Sequence, residues 1–164
     1  WKEWVSEESA GALPGVKEFL SYANTKGIKI FYVTNRTHDL EEYTRNNIKA
    51  LGLPLDEDID VLLMKNEKGW ASDKTSRRDL IRKDFRVIQV FGDQLDDFIS
   101  LTETAKSIDE RKILIDKYAN MWGEKWYMLV NPMYGEWEEA IYDHCWSCYP
   151  KESDRVNQRL KALE

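Results

Sequence analysis

Basic charge is in deficit in this chain: 24 Lys and Arg stand against 30 Asp and Glu, a formal net charge of −6. No basic patch is available to replace the counterions of a nucleic-acid backbone, so a nucleic-acid polymer is excluded as a partner. No run approaches the ~20 apolar residues of a membrane-spanning helix. Histidine is scarce: His38 and His144 are the only two, and neither stands in a motif, so histidine-based nucleophilic catalysis is poorly supported. The two cysteines form one Cys145-Trp146-Ser147-Cys148 pair, too few for a four-ligand structural zinc even with His144 beside them. Repeats, low-complexity tracts and linkers are all missing, so residues 1–164 read as one α/β-sized domain. With 42% hydrophobic and 33% charged residues the chain is globular in type, not disordered.

The most informative segment that is present is Val87-Ile88-Gln89-Val90-Phe91-Gly92-Asp93, followed by Gln94-Leu95-Asp96-Asp97-Phe98. An apolar run rich in β-branched and aromatic residues stops at Gly-Asp. That pattern is a buried strand delivering a carboxylate to its C-terminal edge, where open α/β sheets bind ligands. The glycine is expected to let backbone approach a ligand, and Asp97 to return toward Asp93. Two such carboxylates suit a hard cation such as Mg²⁺. A second apolar run, Ile28–Val33, ends in Thr34-Asn35-Arg36. Hydroxyl, amide and guanidinium all donate to phosphate oxygens. A strand end fit for a metal and another fit for phosphate imply metal-assisted phosphoryl chemistry.

The periodicities predict helices over Pro14 to about Lys26, Asp39–Leu51, Asp73–Lys83 and Ser107 to about Met121, the last opened by a Ser107/Glu110 capping box. Strands are predicted at 28–33, 61–64, 86–91 and 126–130. Alternation of helix and strand argues for a mostly parallel, three-layer α/β sheet. Asp56-Glu57-Asp58 and Asp58-Ile59-Asp60 precede an apolar run instead of following one, and read as a solvated loop. Trp70, Trp122 and Trp126 read as packing residues, and Asp96 as a surface residue.

Phe31-Tyr32-Val33-Thr34-Asn35-Arg36 and Gly92-Asp93-Gln94-Leu95-Asp96-Asp97-Phe98 resemble motifs II and IV of the haloacid dehalogenase superfamily. Within it the chain resembles the class C acid phosphatases, the bacterial lipoprotein 5′-nucleotidases of the DDDD group. Trp1 and Trp4 before Ala12-Leu13-Pro14-Gly15-Val16 are similar to that family's Trp-rich approach to a Pro-Gly helix start. Asn131-Pro132-Met133-Tyr134-Gly135-Glu136-Trp137-Glu138 resembles its C-terminal signature. The order and spacing of the four blocks run from Trp1 to about Glu138; residues 139–164 carry no resemblance. A flavodoxin-like or receiver-type domain shares only the sheet, and lacks the Thr34-Asn35, Asp93/Asp97 and Tyr134 features.

The resemblance implies a Rossmann-like haloacid dehalogenase fold and a Mg²⁺-dependent phosphatase of small phosphate monoesters, nucleoside 5′-monophosphates and aryl phosphates. Asp93 would hold the metal. Thr34 and Asn35 would cradle the transferring oxygens. Lys74, preferred over Lys65, Lys68 and Arg78, would add positive charge from a helix start. Asp97 would bond a metal-bound water or Lys74. Trp1 and Tyr134 would sandwich the substrate's ring. Arg36 stands evenly between phosphate binding and a salt bridge. Gln94 replaces the usual Asn and keeps the amide chemistry.

In that family an Asp-x-Asp-x-Thr motif precedes the paired tryptophans, with the nucleophile as its first Asp. The expectation is that this motif and its central strand lie upstream of Trp1, and that residues 1–164 alone fold poorly and are inactive. A non-catalytic phosphate- or nucleotide-binding relative without the nucleophile is the alternative. The resemblance further implies an exported bacterial protein, periplasmic or anchored to the outer membrane by an upstream lipid. In such a protein Cys145 and Cys148 are expected as a local disulfide, ahead of reduced thiols or a metal site. Homo-oligomerisation stays open.

Overall fold

The computed structural model describes residues 1–163 apart from 105, 106, 132 and 134. The chain divides into two compact units, Trp1–Arg78 and Asp79–Glu164. The α/β architecture expected from the alternation is the one observed. Among the described residues the strands form two separate parallel pairs.

The first unit is organised by Val61-Leu62-Leu63-Met64, all fully or almost fully buried. A continuous apolar run of this kind is what a strand covered on both faces requires. Leu62–Lys65 forms β2, and it pairs in parallel with β1 (Tyr32–Thr37). Helix α1 (Lys2–Ser6) and α2 (Val16–Thr25) precede β1, and α3 (Glu41–Ala50) links β1 to β2. Ile48, Leu62 and Met64 form the core, with Tyr32, Leu53 and Leu55 packed on it. Tyr32 donates to the Pro54 carbonyl at 2.8 Å, and burial pushes its hydroxyl up to about 12. Gly52, at φ 68°, follows the end of α3.

The strand limits depart from the expectation. Ile28–Phe31 is apolar but lies outside β1, whose first ladder contact is Tyr32 N–H to the Val61 carbonyl. Thr34-Asn35-Arg36, expected in a loop, lies within β1. The register runs Tyr32↔Leu62 to Thr34↔Met64 and resumes at Thr37↔Lys65. Three steps along β1 thus match one along β2, and the bulge lifts Asn35 and Arg36 out of the ladder.

In the second unit β3 (Val90–Gly92) pairs with β4 (Trp126–Met128) in parallel. Leu95, Phe98, Ile99 and Trp126 form its core, with Val90, Tyr118, Met121 and Trp122 packed around them. After the short α5 (Leu101–Thr104), the Ser107/Glu110 capping box opens α6 (Ile108–Lys117) as expected. On this helix the isoleucine Ile113 is 66% exposed while the charged Arg111 is buried. The Arg111 guanidinium satisfies the Thr104 carbonyl at 2.5 Å, an acceptor no isoleucine could serve. Asp96, expected at the surface, is 6% exposed. Beyond α7 (Glu136–Ile141), Cys145 and Cys148 are joined in a disulfide. Tyr142 is fully buried there, and Arg159 of α8 (Glu152–Lys161) donates to its hydroxyl at 2.7 Å.

Glu136 is held above its ordinary carboxyl value, first by burial and then by the Glu139 and Asp96 carboxylates. Its folded state therefore favours the protonated form. That contribution is complete below the unfolded glutamate value of about 4.3 and is lost as pH rises through the folded value. Glu136→Gln is expected to raise Tm near pH 7 and to change it little near pH 4, both pH values being set on either side of about 4.3. Equal shifts at the two pH values in thermal unfolding would contradict this.

Candidate active site

Two clusters carry the site residues, one in each unit. In the first, the β1 bulge is shaped by its own hydroxyl: the Arg36 N–H donates to Thr34 Oγ1 at 3.1 Å. This occupies an acceptor position of Thr34 and leaves its O–H as a donor. Asn35 is exposed, but its Oδ1 accepts from Nη2 of the buried Arg77 at 2.7 Å. Arg77 Nη1 donates to the Thr34 carbonyl at 2.6 Å. Lys74 immediately precedes α4 (Thr75–Asp84), where the Thr75 N–H is capped by Asp73 Oδ1 at 2.7 Å. Lys65, a competitor for the Lys74 role, donates to Ser72 Oγ at 2.8 Å and supports the same segment. Arg78, another competitor, is buried against Thr75 Oγ1.

Trp1 and Trp4 stack at 5.1 Å between ring centroids, and Trp1 is 66% exposed. The Arg36 guanidinium lies 5.9 Å from the Trp1 ring and 5.5 Å from the Trp4 ring. It also donates to Thr44 Oγ1 at 3.3 Å. Arg36 thus meets the tryptophan pair through a cation–π contact, a role outside the two weighed from the sequence.

In the second unit Asp93 immediately follows β3 as an exposed carboxylate. Its Oδ2 accepts from the Asn131 amide at 2.5 Å and from Gln94 Nε2 at 3.3 Å. Asp97 Oδ2 accepts the backbone N–H groups of Asp93 and Gln94, each at 3.0 Å. Its carboxylate therefore builds the turn that presents Asp93. Gly92 is required by this turn, since a Cβ there would lie 2.3 Å from Asp97 Cβ. The space left by the glycine is filled by Asp97, not kept open for a ligand. Gly135 plays the same part toward Gln94: a Cβ on it would meet the Gln94 amide at 2.1 Å. Asn131 and Gly135 thus join the Gly92–Asp97 turn, far from them in sequence, in one cluster. Tyr134 lies outside the described residues.

A divalent metal was implied by the sequence, and the donors around Asp93 test whether it fits. One exposed carboxylate, oriented on one oxygen by an amide and backed by a turn, suits a Mg²⁺-type ion that keeps waters and takes phosphate oxygens. It does not suit an all-protein cage. Among the described residues the convergent trio of ligand-type side chains is elsewhere, at Glu136, Glu139 and His144. A depression of about 490 Å³ along α3, lined by residues such as His38, Glu42 and Arg45, contains none of the site residues. Its open, charged walls offer no concave apolar surface, so the strand ends remain the better candidate.

Sequence reasoning missed Arg77 and Asn131 as parts of the site. Arg77 sits in a charged segment that reads as a solvated helix face, and nothing in its spacing marks it as buried. Asn131 stands in a recognised block, but its partner Asp93 is 38 residues away.

Residues 1–137 match the family described as HAD superfamily, subfamily IIIB (acid phosphatase), and the chain belongs to that family. Two solved structures of the class C acid phosphatase from Bacillus anthracis resemble it at 30% identity over the whole of this chain. Their TM-scores are 0.84 and, for the form with tungstate bound, 0.85. Among curated proteins it is 30% identical over 105 residues, 60% of its own length, to the stem 28 kDa and stem 31 kDa glycoproteins of Glycine max. The chain spans 66% of each solved relative, and 40% and 35% of the two glycoproteins.

The contact between Gly92 and Asp97 makes a direct prediction. Gly92→Ala forces a methyl into the Asp97 carboxylate and is expected to destabilise the protein by about 1–3 kcal/mol, the usual range for overpacking. Urea unfolding of the variant at unchanged stability would contradict the turn described here.

Proposed function

We propose that the protein is an acid phosphatase that hydrolyses small phosphate monoesters, including nucleoside 5′-monophosphates and aryl phosphates, with Mg²⁺ as its metal. The observation that carries this reading is the Asp93 carboxylate at the C-terminal end of β3, oriented by the Asn131 amide, in a chain of the acid phosphatase family. When bound, Mg²⁺ would be held by Asp93 and would supply neutralisation of phosphate charge. Thr34 donates its hydroxyl, and Asn35 its amide, to the phosphoryl oxygens, as a preorganised cradle. Lys74 adds positive charge from the start of α4. Asp97 keeps the Asp93 turn in place. Trp1 and Tyr134 bracket the ring of the substrate, and Arg36 holds the tryptophan pair.

The nucleophile in this reading is an aspartate in a segment upstream of Trp1. Its carboxylate attacks phosphorus and the ester P–O bond breaks. A second upstream aspartic acid protonates the departing alcohol. The same residue then takes a proton from the water that attacks the aspartyl-phosphate, which releases phosphate and restores the carboxylate.

The disulfide of Cys145 and Cys148 supports export to an oxidising compartment, in keeping with a periplasmic or membrane-anchored protein. No helix among the described residues is long and apolar enough to cross a membrane.

The test uses the natural full-length protein with an aryl phosphate and a nucleoside 5′-monophosphate, with Mg²⁺ and with chelator. Asp93→Asn is expected to lower Mg²⁺-dependent turnover by about a hundredfold or more, the several kcal/mol that a Lewis acid supplies. Tungstate binding without turnover in the wild-type protein would favour the non-catalytic alternative. Turnover that survives Asp93→Asn would remove Asp93 from the metal site.

A further inference from the structure

Arg77 lies in the charged segment Asp73-Lys74-Thr75-Ser76-Arg77-Arg78, yet its side chain is completely buried. A buried guanidinium must place its donors on acceptors, because their desolvation is otherwise uncompensated. Arg77 places Nη1 on the Thr34 carbonyl at 2.6 Å. Its Nη2 faces Asn35 Oδ1 at 2.7 Å and the carbonyls of Ala71, Ser72 and Asp73 at 3.1, 3.3 and 3.5 Å. One rigid fork therefore joins the bulge of β1 to the backbone that leads directly into Lys74.

The bond to Asn35 decides which way its amide faces. An amide has an acceptor end and a donor end, and crystallographic convention alone does not distinguish them. Here the guanidinium does: it is all donors, so it accepts only the oxygen beside it. The donor Nδ2 is turned away from Arg77, on a residue that is exposed.

We propose that Arg77 is a positioning residue for phosphoryl binding. It holds the Asn35 amide with Oδ1 inward, so that Nδ2 is presented to a phosphoryl oxygen, and it locks the segment leading to Lys74 onto the same fork. This rests on the phosphate-binding part of the proposed function, and not on the metal or the nucleophile. The planar fork is the reason for arginine at this position. A lysine ammonium is a point charge on a flexible stem and cannot bridge the Thr34 carbonyl and the Asn35 amide in one plane.

The experiment measures binding of tungstate alone to the natural full-length protein by isothermal titration calorimetry, with Tm recorded for each variant. Asn35→Asp keeps an oxygen for Arg77 and replaces the outward donor with a negative charge. It is expected to keep Tm at or above the wild-type value and to weaken tungstate binding by about tenfold or more. Arg77→Gln is expected to weaken binding by about tenfold, and to add a clearly smaller loss in an Asn35→Ala background, because its effect on the Asn35 amide is already gone there. Unchanged tungstate affinity in Asn35→Asp, or losses that multiply in the double variant, would overturn the proposal. A purely structural arginine would lower Tm and leave the affinity of the folded protein intact, which also overturns it. If Arg77→Gln does not fold, the Asn35→Asp comparison decides alone. Wild-type protein that binds tungstate yet fails to turn over phosphate monoesters removes the phosphatase reading and leaves the role of Arg77 standing.

Discussion

The first unit depends on one buried cation. Arg77 stands on the first turn and a half of α4, but its side chain does the work of a cross-brace, joining the end of β1 to residues 71–73. Burying a guanidinium carries a large desolvation cost, offset only where geometry and hydrogen bonding are good. The acceptors that offset it here are the carbonyls of Thr34, Ala71, Ser72 and Asp73 and the Asn35 amide oxygen. These backbone carbonyls and the one side-chain amide surround the residues proposed to bind phosphate. The cost of the burial and the order of the cradle are therefore the same physical fact.

The second unit solves a related problem with carboxylates. Asp97 spends Oδ2 on two backbone N–H groups and so fixes the turn after β3. Gly92 makes room for it, and Asn131 and Gln94 hold Asp93 from the other side. Of the two acidic residues, Asp93 is presented outward and Asp97 gives Oδ2 to the backbone of the turn. A hydrogen-bonded carboxylate of this kind gives the exposed one a defined direction before any ligand arrives. That preorganisation is what a site acting on developing charge requires.

Parts of the local framework of the candidate site were legible in the sequence because an apolar run that stops abruptly announces a strand end. A β-branched run broken by Gly-Asp marks where Asp93 must emerge, and the Ser107/Glu110 pair marks where α6 must begin. Gly52 likewise follows the end of α3 because only a residue tolerant of φ 68° fits there. The cases that were not legible share a cause: they are long-range. The β1 bulge is a property of its pairing with β2, not of Thr34-Asn35-Arg36 alone. Burial of Arg77, Arg111 and Asp96 follows from partners that no local periodicity contains, and Ile113 is exposed because α6 turns Arg111 inward instead. The even choice over Arg36 did not include the stacked tryptophans, because Trp1 and Arg36 are brought together only by the fold.

The most direct test of the account is a crystal structure of the natural full-length protein with tungstate, located by the anomalous signal of tungsten. The tungsten peak is expected within hydrogen-bonding reach of the Thr34 hydroxyl and of the Asn35 amide nitrogen, with Asn35 Oδ1 still on Arg77. A peak remote from β1, or an Asn35 side chain released from Arg77 on binding, would contradict the claim that this buried arginine sets the phosphate cradle.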